Sequence, residues 1–165
     1  MSDAPNLRAL AARALAQIVA GASLRATFAA QAGNVRDSRD RALLASLLHE
    51  GARWWLRFDP AVDALLERPI KKREPALHAL VVLGLVQCEI LRLPDYAAVA
   101  ATVEAARALG KPKFSGLVNA VLRRWLRERD ARNAKLDDVA QTRSAHPQWL
   151  MDAIRKDWPE HVPSI

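Results

Sequence analysis

Cysteine, tyrosine and glycine are scarce in this 165-residue sequence, with one, one and six copies. The single cysteine, Cys88, excludes a disulfide framework and any Cys-x-x-Cys metal site. Neither a G-x-G-x-x-G nor a G-x-x-x-x-G-K-S/T loop is present, so no phosphate-binding turn between a strand and a helix is predicted. The histidines are scattered, and none pairs with a cysteine or a carboxylate at metal-ligand spacing. We therefore predict no catalytic, cofactor or metal site in this chain; its histidines are His49, His78, His146 and His161.

Long apolar runs are also missing. The longest, residues 76–91, is interrupted by His78, Gln87 and Glu89 and is too polar to span a bilayer. The amino terminus, MSDAPNLRAL, lacks the apolar core of a signal peptide. We therefore expect a soluble, cytoplasmic protein with no membrane partner.

Alanine, by contrast, is abundant. It occupies 32 positions, whereas valine, isoleucine and threonine together supply 20. Alanine loses no side-chain entropy in a helix, while β-branched residues are stiff there and favour strands. The length suits one domain that can bury a core of its own. The composition predicts an all-α fold.

Seven segments have the spacing or composition of helices. Ser38 is the expected N-cap of the third, and Asp59 that of the fourth, with Pro60 at its first helical position. The fifth is apolar nearly all round, which places it in the middle of a bundle. Gly110 suits the left-handed residue that ends a helix. The predicted segments are residues 6–20, 24–31, 38–55, 59–66, 74–91, 94–109 and 112–128.

The pattern changes after Arg129. The stretch RDARNAKLDDVAQTRSA is polar and has no sustained apolar stripe, which favours a linker. His146-Pro147 then opens a short amphipathic helix, which has too few partners to form a core alone. We expect it to begin a further domain that the chain contains only in part.

The net charge is +7, and 19 of the 25 cationic residues are arginine. Because the planar guanidinium fork matches phosphate geometry, this bias favours a nucleic-acid partner. A GC-rich genome would raise the arginine and alanine counts together, but it does not explain the net excess of positive charge.

The seventh segment, KPKFSGLVNAVLRRW, is both basic and apolar. At about 100° per residue, its apolar side chains form one stripe and its cations lie opposite, with no acid inside the helix at i,i+4 spacing. Asn119 falls at the border, where we expect its amide to satisfy a backbone group. The inward set is Phe114, Leu117, Val118, Val121, Leu122 and Trp125, and the outward set is Lys113, Arg123, Arg124 and Arg127.

These outward cations are candidate phosphate contacts, which bind without much sequence preference. If the first and seventh helices lie side by side, cations of the first helix and of the turn before the seventh join them. The alternative is a solvated surface whose cations complement a helix dipole. The full candidate RNA-binding set is Arg8, Arg13, Arg25, Lys111, Lys113, Arg123, Arg124 and Arg127.

Three other residues are expected to be structural: Cys88 as a buried thiol, and Glu89 and Glu104 as solvated or capping carboxylates.

Two stretches carry a family resemblance. LRLPDYAAVAATVEAARALGKPKFSGLVNAVLRRWLRE, residues 91–128, is similar to the two closing helices of the NusB-like fold, and DSRDRALLASLLHEGARWWLRFDPAVDALL, residues 37–66, is similar to an earlier segment of it. The resemblance extends over residues 7–128. One position departs: Ala101 stands where the family usually has an acid, so whatever contact that carboxylate makes is lost. The matching residues are Val103, Glu104, Gly110, Asn119, Val121, Leu122 and Arg123.

The fold occurs in free antitermination factors, which bind RNA together with a ribosomal protein, and at the start of small-subunit rRNA cytosine-C5 methyltransferases of the RsmB (Sun/Fmu) type. The tail SAHPQWLMDAIRKDWPEH, residues 144–161, resembles the segment that leads into the methyltransferase. The resemblance therefore implies a NusB-like RNA-binding domain at 1–129 and, at 130–165, a linker and the start of the methyltransferase region. S-adenosylmethionine is then expected on the missing catalytic domain and not on this chain.

Two other functions stay open at this stage. One is a free-standing transcription antitermination factor. The other is a protein-interaction module that docks on its own catalytic domain or on a ribosomal protein, whose signature would be an exposed apolar patch around Trp54 and Trp55. The oligomeric state does not follow from the sequence.

Overall fold

A computed structural model describes residues 5–160, and every regular element in that range is helical. The α-helices are α1 (Leu7–Val19), α2 (Leu24–Ala32), α3 (Ser38–Arg53), α4 (Trp55–Leu65), α5 (Pro75–Glu89), α6 (Asp95–Ala108), α7 (Ser115–Arg127), α8 (Arg129–Asp137), α9 (Ala140–Ser144) and α10 (Gln148–Asp157), and a 3-10 turn, Pro112–Phe114, precedes α7. The all-α prediction is confirmed.

Helix α5 forms the centre of the bundle, as its apolar composition predicts. It begins at Pro75, whose missing N–H costs nothing at a first helical position. Its residues 77–88 are all buried, and it packs against α1, α3, α4, α6 and α7. Beside it, the rings of Phe58 and Trp125 meet edge to face with centroids 6.0 Å apart. The bundle therefore has one continuous core around α5.

Two glycines have defined structural roles. A Cβ added to Gly84 of α5 would lie 2.7 Å from Cδ2 of Leu122, so the missing side chain lets α5 and α7 approach closely. Gly110 has φ +77° after the end of α6, the left-handed conformation predicted for it.

The N-caps of α3 and α4 differ from those predicted. Asp37, not Ser38, caps α3, because its carboxylate accepts hydrogen bonds from the backbone N–H groups of Arg39 and Asp40, at 2.8 and 3.1 Å. Helix α4 begins at Trp55, so Pro60 lies inside it and Asp59 is not a cap.

Asp59 instead binds two cationic or polar partners. Its carboxylate lies 2.8 Å from Nε2 of the fully buried His78 and 2.6 Å from Nζ of Lys71. Burial raises the pKa of Asp59, but the hydrogen bonds from His78 and Lys71 outweigh it and hold that pKa below its ordinary value. The carboxylate that looked like a local cap therefore ties α4 to α5.

The segment after Arg129, which is expected to be a linker, is helical. The segment forms α8 and α9, which pack against α4, while α8 also packs against α7. The predicted amphipathic helix near the end is present as α10, which contacts only α9 among the elements between residues 5 and 160.

Candidate nucleic-acid interface

Helix α7 has the two faces that its sequence predicts. Val118, Val121, Leu122 and Trp125 are buried, and Phe114 is half-buried. Leu117 is the exception to the predicted apolar stripe, since it is 36% exposed. It lines a groove between α7 and the segment after α4, together with Leu65, Leu66 and Ile70.

Three of the four outward cations have no ion-pair partner among residues 5–160. Lys113, Arg123 and Arg127 are exposed, and none forms an ion pair with a described residue. The Nε of Arg123 donates a 3.0 Å hydrogen bond to Oδ1 of Asn119, one turn earlier. Asn119 therefore binds a cationic side chain, and the prediction that it satisfies a backbone group is wrong. We call Lys113, Arg123 and Arg127 the cationic ridge.

Arg124 and Lys111 differ from the ridge because each faces a carboxylate. Arg124 pairs with Glu128 at 3.2 Å, and Lys111 pairs with Glu74 at 2.7 Å. The hydrogen bond from Arg124 lowers the pKa of Glu128, so this carboxylate is charged and compensates the arginine. The prediction that no acid of the seventh segment stands at i,i+4 from a cation is therefore wrong at Arg124, because Glu128 lies four residues later and pairs with it.

The cations of the first two helices have partners of their own or are exposed. Arg8 is half-buried, donates to Oε1 of Gln87 at 2.6 Å, and has a pKa lowered by burial. Arg13 is exposed and reaches the Ala108 carbonyl at 3.5 Å, and Arg25 is exposed on α2. In the described range α1 and α7 make no contact, because α6 lies between them and packs on both. The side-by-side packing of α1 and α7, on which the joining of the eight predicted cations was expected to depend, is therefore not found in the described range.

Helices α6 and α7 enclose a groove beside the ridge, with a volume of about 580 Å³. Its apolar surface comes from Val99, Val103 and Leu126, and Tyr96, Asn119 and Arg123 contribute polar groups. Of its acids, Glu104 pairs with Arg107 at 2.6 Å and Asp95 pairs with Arg129 at 2.8 Å. Apart from the two helical patterns, nothing in the sequence predicts this groove.

Glu89 carries a network that the sequence did not reveal. Its carboxylate accepts hydrogen bonds from Trp125 Nε1 and Arg129 Nε, both at 2.8 Å, and from Asn133 Nδ2 at 3.1 Å. The prediction of a solvated or capping role for Glu89 is therefore wrong. The hydrogen bond to Asp95 is the main cause of a raised pKa for Arg129, which stays charged. The neighbouring Cys88 is buried, as predicted.

The apolar patch expected of an interaction module is not at Trp54 and Trp55. Trp55 is buried, and Trp54 is half-buried with its Nε1 donating to Glu50 at 3.1 Å. The most exposed aromatic side chains lie elsewhere, at Tyr96, Trp149 and Trp158.

Between residues 5 and 160, no cluster of three His, Cys, Asp or Glu side chains has an arrangement suited to a metal ion. None of the helices there is both long and apolar enough to cross a bilayer. His161, named among the histidines, lies outside the described residues.

The fold is an all-α bundle in which α7 has one basic face. Comparison with known proteins shows which family has this fold. The NusB family model matches residues 5–127, and the chain belongs to the NusB family. The chain is also 42% identical over 161 residues to the ribosomal RNA small subunit methyltransferase B of Pseudomonas putida and 41% identical over 159 residues to that of Xanthomonas campestris pv. campestris. These two alignments cover 97% and 96% of the chain but 37% and 35% of the relatives, so the chain spans about a third of their length.

Proposed function

We propose that this chain is the amino-terminal RNA-binding domain of an S-adenosylmethionine-dependent small-subunit rRNA cytosine-C5 methyltransferase. The observation that carries the proposal is the reach of the similarity: the family match ends at residue 127, but the alignment with the methyltransferases takes in 97% of the chain. The tail beyond α7 is thus shared with those proteins, which favours this function over a free antitermination factor. In this proposal the boundary predicted at 129/130 lies within one helical unit, because α8 and α9 pack on the bundle.

The proposed task is to hold the rRNA. A cytosine must leave its stack before an enzyme can reach C5, and the energy of unstacking has to come from other contacts. The cationic ridge supplies three charges that no described carboxylate compensates, and such cations bind phosphates with little dependence on sequence. Catalysis and S-adenosylmethionine binding would belong to the methyltransferase region.

A second role rests on α10. Trp149 and Trp158 are 70% and 59% exposed, which is unusual for side chains of this size, and α10 contacts only α9 within the described part of the chain. We propose that this helix meets the remaining polypeptide of a longer protein. In that protein, the fluorescence of both tryptophans should shift to shorter wavelength relative to this chain. An unchanged spectrum would contradict the contact.

The RNA-binding proposal is tested by measuring the affinity of the chain for a small-subunit rRNA hairpin over a series of salt concentrations. Replacing Arg123 and Arg127 by Glu should weaken binding and reduce the slope of log K against log salt by about two, since each duplex phosphate contact contributes about 0.9. The matched control, Arg36→Glu with Arg39→Glu, makes the same change in net charge on exposed residues far from α7 in sequence. Equal effects of the two variants would show that overall charge alone attracts the RNA and would refute the role of the ridge.

A further inference from the structure

Tyr96 stands on the α6 wall of the groove between α6 and α7. It is the chain's single tyrosine, and its side chain is 81% exposed. The ring therefore contributes little to the core. Val99, Ala100 and Val103 of the same helix line the groove with it and supply an apolar surface. An exposed ring next to an apolar surface is suited to stacking with a flat partner.

The α7 wall of the groove carries a cation held in place. The bond from Nε of Arg123 to Asn119 restrains the guanidinium and leaves its two terminal nitrogens without a hydrogen-bond partner among the described residues. Arg127 of the cationic ridge follows one helical turn later. The facing acids Glu104 and Asp95 are each paired with another arginine, so they do not compete for Arg123.

From this arrangement we propose that the groove is a subsite for an unpaired RNA nucleotide, whose base stacks on Tyr96 while its phosphate binds Arg123. The inference rests on the RNA-binding function proposed above and adds a preference for single strands. A base inside a duplex has both faces covered by its neighbours, whereas an unpaired base can stack on an aromatic side chain. The groove volume of about 580 Å³ lies within the range of roughly 300–1,000 Å³ typical of small-ligand sites.

The chemistry also limits the selectivity of the subsite. Every base has a π-face, so stacking on one tyrosine tolerates any sequence. Arg123 as a phosphate ligand adds no base discrimination. The groove should therefore distinguish unpaired from paired RNA and not one base from another.

The test uses two fluorescein-labelled probes, a single-stranded oligouridylate of about ten nucleotides and a blunt RNA duplex of the same length. Tyr96→Ala should weaken binding of the single strand by about 5- to 150-fold, the range of one lost base–aromatic stack, and leave duplex binding within about twofold. Tyr96→Phe keeps the ring and should bind like the parent chain. Trp149→Ala removes another highly exposed aromatic residue, on α10, and serves as the matched control.

A second readout locates the contact. Oligouridylate containing 5-bromouridine should, under ultraviolet light, cross-link to the peptide that holds Tyr96. The subsite is refuted if Tyr96→Ala binds the single strand like the parent chain, or if it weakens single strand and duplex equally. An effect of Arg123→Glu/Arg127→Glu without an effect of Tyr96→Ala would refute the subsite alone, whereas no salt-dependent binding of either probe would refute the proposed function as well.

Discussion

The guanidinium of Arg57 lies 2.7 Å from Oδ1 of Asp137, 80 residues further along the chain. The same buried side chain donates to Oδ1 of Asn133 at 2.9 Å and to the Thr142 carbonyl at 3.2 Å. One arginine of α4 thus satisfies polar groups on α8 and α9. Hydrogen bonds from this buried arginine therefore tie α8 and α9 to α4.

Replacing Arg57 by Ala should therefore lower the free energy of unfolding by about 2 kcal/mol, since it removes three hydrogen bonds from a charged, buried donor. Urea denaturation measures the loss, and thermolysin should cleave the segment from α8 to α9 faster. Asp137→Ala removes only the half-exposed partner and should cost less than about 1 kcal/mol. Equal losses for the two variants would contradict the central role of Arg57.

Gly84 of α5 and Gly116 of α7 are both helical, but they differ in the space available for a side chain. A Cβ at Gly84 would lie 2.7 Å from the buried Leu122, whereas a Cβ at Gly116 would meet nothing within 4 Å. Gly84→Ala should cost about 1 kcal/mol, because an overpacking penalty of about 1–3 kcal/mol exceeds the gain in helix propensity of about 1 kcal/mol. Gly116→Ala should stabilise by up to about 0.5 kcal/mol. Thermal or urea unfolding of both variants checks the difference, and a stabilising Gly84→Ala would show that α5 and α7 have room to separate.

The thiol of Cys88 should be unreactive in the folded chain. Burial, followed by the charge of Asp95, raises the pKa of this thiol from 9.0 to about 12. The thiol loses its proton at a lower pH in the unfolded chain than in the folded chain. The contribution of the protonated Cys88 to the free energy of unfolding is therefore fully present below pH 9. It falls by about 1.4 kcal/mol per pH unit as the pH rises towards 12.

A chromogenic disulfide reagent at pH 8 measures the reactivity of the Cys88 thiol, which should rise only when the chain unfolds. Urea titrations between pH 8 and pH 10 measure the stability, and the Cys88→Ala variant should have a shallower alkaline slope than the parent chain. Rapid labelling of the folded chain would contradict the burial of the thiol.

Asn119→Asp tests whether Arg123 binds phosphate. A carboxylate at Oδ1 would pair with the Arg123 guanidinium and compensate its charge, so affinity for the rRNA hairpin should fall and the salt slope should decrease by about one. Asn34→Asp makes the same change in charge at an exposed position after α2 and is the control. If both variants retain the parent slope, Arg123 does not contact the RNA backbone.

The parts of the fold that the sequence predicts are those governed by local patterns. The apolar run of α5 and the stripe of α7 follow from which side chains recur at helical spacing, and Gly110 follows from its free backbone. Asp59-Pro60 has the local signature of a helix start, but His78 and Lys71, from outside α4, bind that carboxylate instead. Segment 129–144 is polar in sequence and predicts no packed helix, because its attachment to the bundle depends on Arg57, which lies far away in the chain.

In the candidate site, too, the sequence predicts what depends on one helix and does not predict what depends on which helices are neighbours. The exposure of Arg123 and Arg127 follows from the helical wheel, since it depends only on α7. The expected union with Arg8 and Arg13 depends on which helices are neighbours, and α6 separates them. Tyr96 is visible in the sequence as the single tyrosine, but only the pairing of α6 with α7 places it in the same groove as Arg123.

The hydrogen bonds of Glu89 have a consequence for the dynamics of the chain. Trp125 lies before the end of the family match at residue 127, and Arg129 and Asn133 lie after it, yet all three bind this one carboxylate. Opening α8 alone would leave a largely buried charge with one donor, which is costly. The slowest amide protons of α8 should therefore exchange with solvent together with those of α5, in a single cooperative unit that includes the bundle and its extension.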